Sequence, residues 1–209
     1  MDDVYYIIGT AYAGKSTMVT LLAEKYDGIV CEENYHDSLV DDKLDKNEFP
    51  CLCYTRDLQD WREFIRRTPE EYAAWCEGVA KECEVLELRI LEGLKEQGRK
   101  IFVDTNISIE TLKKISDTEH VLVMLSDQMV SVNRFFERPD REKQFLYRLL
   151  MQEPDPDAAL ANFREMLMRV NSKQAYDKFL YSGFKVLLRD DNRTVEDTLE
   201  IVESMLKLK

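Results

Sequence analysis

The sequence predicts an α/β fold in which a parallel sheet is covered by helices on both faces. Five short apolar runs alternate along the chain with segments of helical periodicity, the order expected of parallel strands joined by helices. The runs are continuous rather than alternating with polar residues, which is typical of strands buried on both faces. A glycine-bearing loop at residues 9–17 separates the first run from the first helical pattern.

The five predicted strands are short runs rich in valine, isoleucine and aromatic residues. They lie at residues 4–8, 28–31, 100–103, 120–125 and 184–188. Polar residues follow directly after most of them: Glu32 and Glu33 after the second, Asp104 after the third, Ser126 after the fourth and Arg189 after the fifth. Because ligands of open parallel sheets bind at the carboxyl ends of the strands, we expect these residues along one functional edge.

The helices are predicted from periodicity and from capping residues. The clearest start is Thr68 as N-cap, followed by Pro69 and by Glu71 three residues after the cap, and this helix is expected to end at Gly98. Thr194 and Asp197 predict the start of the last helix in the same way. Further helical patterns cover residues 18–26, 58–65, 108–115, 128–136, 142–151 and 156–180.

Composition restricts the class of protein. The net charge is −12, which argues against general affinity for nucleic acid or for an anionic membrane. Five cysteines, with the first strand starting too early for a signal peptide, indicate reduced thiols and a cytoplasmic location. No apolar run is long enough to span a bilayer. We expect one domain covering residues 1–209, as a monomer or a homodimer.

The loop after the first strand carries the most specific motif of the chain. It reads G-x-x-x-x-G-K-[ST], the phosphate-binding pattern called Walker A, with Lys15 to reach the β- and γ-phosphates and Ser16 to ligate Mg²⁺. The glycines let the backbone curl around an oxyanion, and the following helix presents its positive end. The sequence therefore predicts binding of ATP and Mg²⁺ by Gly9, Thr10, Ala11, Tyr12, Ala13, Gly14, Lys15, Ser16 and Thr17.

Carboxylates near this loop are candidates for catalysis. Asp104 is expected to hold Mg²⁺ together with Ser16, or to accept the proton of a phosphoryl acceptor, unless it only caps a turn. Glu32 is the other candidate base, and Glu33 is an alternative to it. The residues alone do not choose among these three.

In outline, the whole chain resembles the P-loop kinases of small molecules, the group that contains nucleoside-monophosphate, shikimate and gluconate kinases. The resemblance rests on Walker A after the first strand, helices inserted after the second and an arginine-rich segment after the fourth. It implies the P-loop NTPase three-layer fold with strand order 2-3-1-4-5. It also implies an inserted acceptor-binding segment at about residues 34–75 and a lid at about residues 134–145.

The resemblance further implies roles for arginines. In the resembling kinases the first lid arginine packs on the nucleotide, which corresponds to Arg134, and later ones clamp the transferring phosphoryl group, which corresponds to Arg138 and Arg141. The alternative is that these arginines pair with Glu137, Asp140 and Glu142 on an exposed helix. Arg189, after the fifth strand, is placed at the nucleotide. Arginines of the inserted segment either bind an anionic group of the acceptor or pair with surface acids; they are Arg56, Arg62, Arg66 and Arg67.

The function expected is transfer of the γ-phosphoryl group of ATP to a small anionic or nucleotide-like acceptor. Two alternatives stay open: a nucleotide-binding sensor without turnover, and a kinase of 5′-hydroxyls of nucleic acids or nucleosides. The second arises because Asp104-Thr105-Asn106 is closer to polynucleotide kinases than to the Asp-Gly-Phe-Pro-Arg of nucleoside-monophosphate kinases. A GTPase is disfavoured, since neither Asn-Lys-x-Asp nor Asp-x-x-Gly occurs where it would need them.

Four other features receive structural interpretations. The Cys51-x-Cys53 pair has no second pair at metal-ligand spacing, so a cysteine metal site is not expected. His36 is expected to be solvated, and Trp61 and Trp75 are expected to pack in a core.

Overall fold

The computed structural model of the chain describes residues 3–137 and 140–208. Its centre is a five-stranded, all-parallel sheet with the order β2-β3-β1-β4-β5, so the predicted strand order is confirmed. The strands are β1 at Val4–Gly9, β2 at Ile29–Cys31, β3 at Ile101–Asp104, β4 at Val121–Leu125 and β5 at Lys185–Leu188. Each strand lies within one or two residues of its predicted position.

The helices are numbered in chain order. They are α1 at Lys15–Lys25, α2 at Pro50–Asp57, α3 at Arg62–Ile65, α4 at Pro69–Lys95, α5 at Ile109–Ile115, α6 at Val130–Asn133, α7 at Arg141–Leu150, α8 at Pro156–Val170, α9 at Lys173–Leu180 and α10 at Val195–Met205. Short 3-10 turns occur at Tyr35–Leu39 and Phe135–Glu137. The predicted caps are confirmed, because Thr68 with Glu71 and Thr194 with Asp197 both form capping boxes.

The single helix predicted at residues 156–180 is wrong. Two helices occupy this segment, because the chain leaves α8 at Asn171 and the Ser172 side chain then accepts a hydrogen bond from the Ala175 N–H as the N-cap of α9. The predicted helix at residues 128–136 is also interrupted, with α6 ending before the 3-10 turn.

Helices cover both faces of the sheet, as the fold class requires. On one face, Tyr5, Ile7 and Phe102 pack against Leu22 of α1 and Val202 of α10. On the other face, alternate strand residues such as Tyr6 and Val123 pack against α4, α5 and α9. The strands are therefore buried on both sides, which explains their continuous apolar runs.

A third apolar cluster lies beyond the sheet and joins the inserted segment to the segment after β4. Phe64 of α3, Leu150 of α7 and Phe163 of α8 are buried within it. Phe135 and Phe136 pack on Phe163, with ring centroids 5.6 and 5.5 Å away. Trp61 and Trp75 also pack here, as predicted. The predicted insert and lid regions thus share one core.

The register of the sheet decides which residues meet at its carboxyl edge. Ile7 of β1 lies beside Asp104 of β3, and Gly9 lies beside Met124 of β4. The loop after β1 therefore starts between the ends of β3 and β4. Within the described ranges, no helix combines the length and the apolar character needed to cross a membrane.

Candidate functional site

The loop between β1 and α1 has a backbone that only glycine tolerates at two positions. Gly9 has φ +127° and Gly14 has φ +94°. A Cβ atom built on Gly9 would lie 2.0 Å from the carbonyl oxygen of Met124, so no side chain fits there. Gly14 serves as the N-cap of α1 in a left-handed conformation, which leaves the first N–H groups of the helix without a side-chain cap. These groups face the interior of the loop and suit an anion.

Side chains from neighbouring strands hold the loop in this shape. The backbone N–H of Ser126 donates to Thr10 Oγ1 at 2.8 Å, and the Ser126 hydroxyl donates to the carbonyl of Ala11 at 2.7 Å. The guanidinium of Arg189 donates to the carbonyl of Tyr12, whose φ of +64° is unusual for a non-glycine residue. The loop is thus pre-formed by residues that follow β4 and β5.

Lys15 and Ser16 both contact Asp104 at the end of β3. Lys15 Nζ lies 3.6 Å from Asp104 Oδ1 and donates to the Thr10 carbonyl at 3.3 Å, while the Ser16 hydroxyl donates to Asp104 Oδ2 at 2.7 Å. The Asp104 side chain is only 3 % exposed. This cluster joins the two charged groups that the motif and the sheet edge predicted separately.

Burial raises the pKa of the Asp104 carboxyl above its ordinary value, although Lys15 and the Ser16 hydrogen bond act in the opposite direction. The charge of Glu33 also raises it. An ionised Asp104 is therefore held at a cost in free energy, and a second cation beside it would lower that cost. Such an arrangement is frequent where a carboxylate serves a ligand rather than the fold.

A cavity of about 310 Å³ opens over the loop. Its lining residues are Ala11, Tyr12, Gly14, Lys15, Ser16, Thr17, Glu33 and Arg189. A second cavity, of about 230 Å³, shares Gly14, Thr17 and Arg189 with the first and continues between α1, β5 and the start of α10. Together they form a site with a polar end over the loop and a partly apolar end beside Met18 and Leu187.

The two candidate glutamates after β2 differ in position. Glu32 accepts a hydrogen bond from Thr20 Oγ1 of α1 at 2.8 Å and does not line the cavity over the loop. Glu33 does line it. The structure therefore brings Glu33, and not Glu32, to the cavity over residues 9–17, whereas the sequence left both glutamates as candidate bases.

The two predicted lid arginines that the structure describes, Arg134 and Arg141, do not line this cavity. The Arg134 side chain is 57 % exposed and lies 3.6 Å from the Glu137 carboxylate, although the Arg134 carbonyl accepts a 2.7 Å hydrogen bond from the Tyr12 hydroxyl. Arg141 lines a different cavity, between α7 and the inserted segment. Arg138 lies outside the described residues. The clamp that the resemblance implies thus stays a prediction.

Most arginines of the inserted segment pair with acids. Arg56 donates to the Asp57 carboxylate and to the carbonyls of Asp41 and Leu44. Arg66 makes a two-pronged contact with Glu153, and Arg62 Nε lies 3.7 Å from the same carboxylate. Arg67 instead stacks on aromatic rings, with its guanidinium carbon 4.1 Å from the centre of the Tyr54 ring. The structural interpretation therefore fits Arg56, Arg62 and Arg66.

A buried polar network behind the site was missed by the sequence analysis. Glu87 of α4 is fully buried and accepts hydrogen bonds from the Thr105 hydroxyl, the Asn106 N–H and the Asn106 side-chain amide. Its other neighbour is His36 Nδ1, at 2.9 Å. The expectation that His36 is solvated is wrong, because this ring is 3 % exposed and also contacts Cys83 Sγ at 3.1 Å.

The sequence carried a signal for Glu87. This residue lies four positions after Cys83 and four before Leu91, so it falls on the apolar stripe of α4 rather than on its polar face. A buried carboxylate needs partners, and the turn after Asp104 supplies them. Glu87 thus fixes the two residues that directly follow Asp104.

No protein-family model matches the chain, and the curated proteins contain no match to it.

The five cysteines are free thiols in the structure, and in the described part of the chain no group of three or more His, Cys, Asp or Glu side chains is arranged to hold a metal ion. A metal at Asp104 would therefore need oxygen ligands from a bound molecule.

Proposed function

We propose that the chain is a kinase that transfers the γ-phosphoryl group of ATP to a hydroxyl group of a small anionic acceptor. The observation that carries this proposal is the cluster in which Lys15 and Ser16 of the Walker loop contact the buried carboxylate of Asp104. A merely structural glycine turn does not need a buried lysine–aspartate pair whose carboxyl pKa is raised.

The loop supplies positive potential for the phosphates. The free N–H groups at the start of α1 and the Lys15 ammonium act on the β- and γ-phosphoryl oxygens, and Arg189 stands at the junction of the two cavities. The nucleoside end fits the second cavity, where Met18, Leu187 and Val195 offer apolar surface to a base.

The residues present fit Mg²⁺. Ser16 Oγ and the Asp104 carboxylate offer hard oxygen ligands close to Lys15, and Mg²⁺ commonly binds through one or two protein oxygens together with phosphates and waters. When bound, the ion neutralises charge on the phosphate oxygens. A cation would also favour the ionised form of Asp104, which burial disfavours.

The transfer forms a bond between the acceptor oxygen and the γ-phosphorus. It breaks the bond between that phosphorus and the oxygen that bridges to the β-phosphate, so that ADP leaves with the bonding electron pair. The acceptor's hydroxyl proton passes to a carboxylate. Glu33 fits this role, since it lines the cavity over the loop and Asp104 is already engaged by Ser16 and Lys15.

We place this kinase in the cytoplasm, as a monomer or homodimer that uses a small molecule rather than nucleic acid or membrane as its partner. The net charge of −12 and the five free thiols support this assignment.

The experiment that tests the proposal measures ADP release from Mg·ATP with pooled metabolites, with an oligonucleotide bearing a 5′-hydroxyl and without any acceptor. We expect release that depends on one anionic small molecule, with Lys15→Ala inactive and Lys113→Ala, at an exposed position of α5, active. Calorimetric titration of ATP runs in parallel. ATP binding without any acceptor-dependent release would favour the sensor, and response to the oligonucleotide alone would favour the 5′-hydroxyl kinase.

A further inference from the structure

A cavity of about 710 Å³ lies between the inserted segment and α7. The residues that line it include Arg56, Trp61, Phe64, Trp75, Arg141 and Phe145. It shares no residue with the cavity over the Walker loop. The inserted segment follows the carboxyl end of β2, and α7 lies in the segment that leaves the carboxyl end of β4, so both walls lie beyond the edge that carries the loop.

The wall of this cavity is formed by aromatic side chains that pack on one another, and one of them is anchored by a hydrogen bond. Trp61 meets Phe64 and Phe145 edge to face, with ring centroids 5.6 and 5.7 Å away. Phe64 meets Trp75 at 5.1 Å, and the Trp75 indole is anchored by its Nε1–H, which donates to the Cys51 carbonyl at 3.0 Å. Phe145 nevertheless remains 39 % exposed, which is high for a phenylalanine in an aromatic cluster.

The two arginines at the cavity differ in whether their guanidinium groups are already bound by other residues. The Arg56 guanidinium is engaged by Asp57 and by two backbone carbonyls, so it is part of the wall. Arg141, at the first position of α7, makes no ion pair or side-chain hydrogen bond with any residue the structure describes. It is therefore the cation of this cavity that is available to a ligand.

We propose that this cavity binds the phosphoryl acceptor and that the acceptor combines an aromatic ring with a phosphate or carboxylate group. This inference rests on the proposed kinase function and specifies its substrate class. The ring lies against Trp61, Trp75 and Phe145, because π faces prefer other rings to water and stacking gives substantial affinity. The anionic group binds Arg141 through forked hydrogen bonds. The volume suits a molecule of this size.

The chain provides a built-in probe of this cavity. Its two tryptophans are Trp61 and Trp75, and both line the cavity, so tryptophan emission reports on its occupancy. Trp75 also lines a second cavity, beside Arg66 and Arg67, and the Arg141→Ala variant distinguishes binding at the two. Three compounds separate the two features of the proposed ligand. Phenyl phosphate has the ring and the anion, glycerol 3-phosphate has the anion without the ring, and benzyl alcohol has the ring without the anion.

The titrations are done on the full chain without ATP, so they do not depend on turnover. We expect saturable change of emission with phenyl phosphate and affinities lower by about tenfold or more for the two other compounds. Arg141→Ala should weaken phenyl phosphate about tenfold and leave benzyl alcohol unchanged. Arg148→Ala, on the same helix but outside the cavity lining, should match the parent, and Phe145→Ala should weaken both ring compounds.

Three results would overturn the inference: no saturable binding of phenyl phosphate, equal binding of glycerol 3-phosphate, or equal effects of Arg141→Ala and Arg148→Ala. Failure of the two proposals can be told apart. If acceptor-dependent ADP release occurs only with ring-free compounds, the kinase stands and the aromatic acceptor falls. If the ring-bearing anion binds here and no acceptor supports release, the ligand class stands and the kinase falls.

Discussion

The Ser16 hydroxyl donates a 2.7 Å hydrogen bond to Asp104 Oδ2, although the two residues lie 88 positions apart in the chain. The contact exists because β1 and β3 are neighbours in the sheet, with Ile7 beside Asp104. It places the oxygen ligands that Mg²⁺ prefers next to Lys15.

Replacing Asp104 by asparagine should remove activity without weakening the fold. Burial raises the pKa of Asp104, so between its ordinary pKa and the raised value the folded state binds more protons than the unfolded state, and the free energy of unfolding falls as the pH rises. Asp104→Asn removes this dependence. We expect its melting temperature at neutral pH to equal or exceed that of the parent. We expect kcat to fall at least a hundredfold, which corresponds to a rise of about 2.7 kcal/mol in the activation free energy.

Asp117 provides a control, because its pKa is shifted in the opposite direction to that of Asp104. A hydrogen bond with His120 lowers the pKa of Asp117, so its ionised form stabilises the fold above the ordinary carboxyl pKa and the contribution is lost as the pH falls. Asp117→Asn should therefore lower the melting temperature at neutral pH and leave activity unchanged. A larger loss of stability from Asp104→Asn than from Asp117→Asn would make Asp104 a structural residue.

Gly9→Ala should destabilise the protein by about 2 to 4 kcal/mol, because the added Cβ meets the Met124 carbonyl at 2.0 Å and the φ of +127° is strained for alanine. Gly93→Ala is the matched control. Gly93 lies within α4 with no atom within 4 Å of the added Cβ, so alanine there should stabilise by about 0.5 to 1 kcal/mol. Chemical denaturation of both variants checks this prediction, and equal stabilities would contradict it.

Substitutions of the two adjacent glutamates after β2 should have different effects on kcat. Glu33 lines the cavity over the loop and Glu32 is bonded to Thr20, so Glu33→Gln should lower kcat by about a hundredfold or more and Glu32→Gln by less than about threefold. Steady-state kinetics of the two variants at one fixed pH checks this prediction. A larger effect of Glu32→Gln than of Glu33→Gln would instead identify Glu32 as the base.

Glu87→Gln should lower the free energy of unfolding by about 2 to 4 kcal/mol, because its new amide group would face the Thr105 and Asn106 donors inside the core. The variant should also need more Mg²⁺ for half-maximal ADP release, since Thr105 and Asn106 follow Asp104 directly. Glu92→Gln, on the exposed side of the same helix, is the control and should behave as the parent. Loss of stability with unchanged Mg²⁺ dependence would limit Glu87 to the fold.

Local signals predicted much of the fold. The apolar runs located the strands, and the capping residues at Thr68 and Thr194 located helix starts, because caps and periodicity depend on neighbours in the chain. The break at Asn171 was missed, since Ser172 reads as an ordinary residue inside a helical pattern. Contacts from a distant segment also hold the break, since Gln128 Nε2 and the Ser131 hydroxyl both donate to Asn171.

The site residues that belong to the Walker motif could be predicted directly from the sequence. The Walker loop could be read from Gly9, Gly14 and Lys15, whereas the choice between Glu32 and Glu33 depends on where β2 ends relative to α1. The burial of His36 depends on a carboxylate 51 residues away. Such contacts leave little trace in a single sequence.

The most direct measurement is ³¹P NMR of the protein with Mg·ATP and the pooled acceptors, followed over time in the parent and in Lys15→Ala. The proposed function predicts that the ATP resonances give way to those of ADP and of a new phosphomonoester in equal amounts, and that Lys15→Ala produces neither. Unchanged ATP in the parent, inorganic phosphate as the sole product, or equal turnover in Lys15→Ala would contradict it.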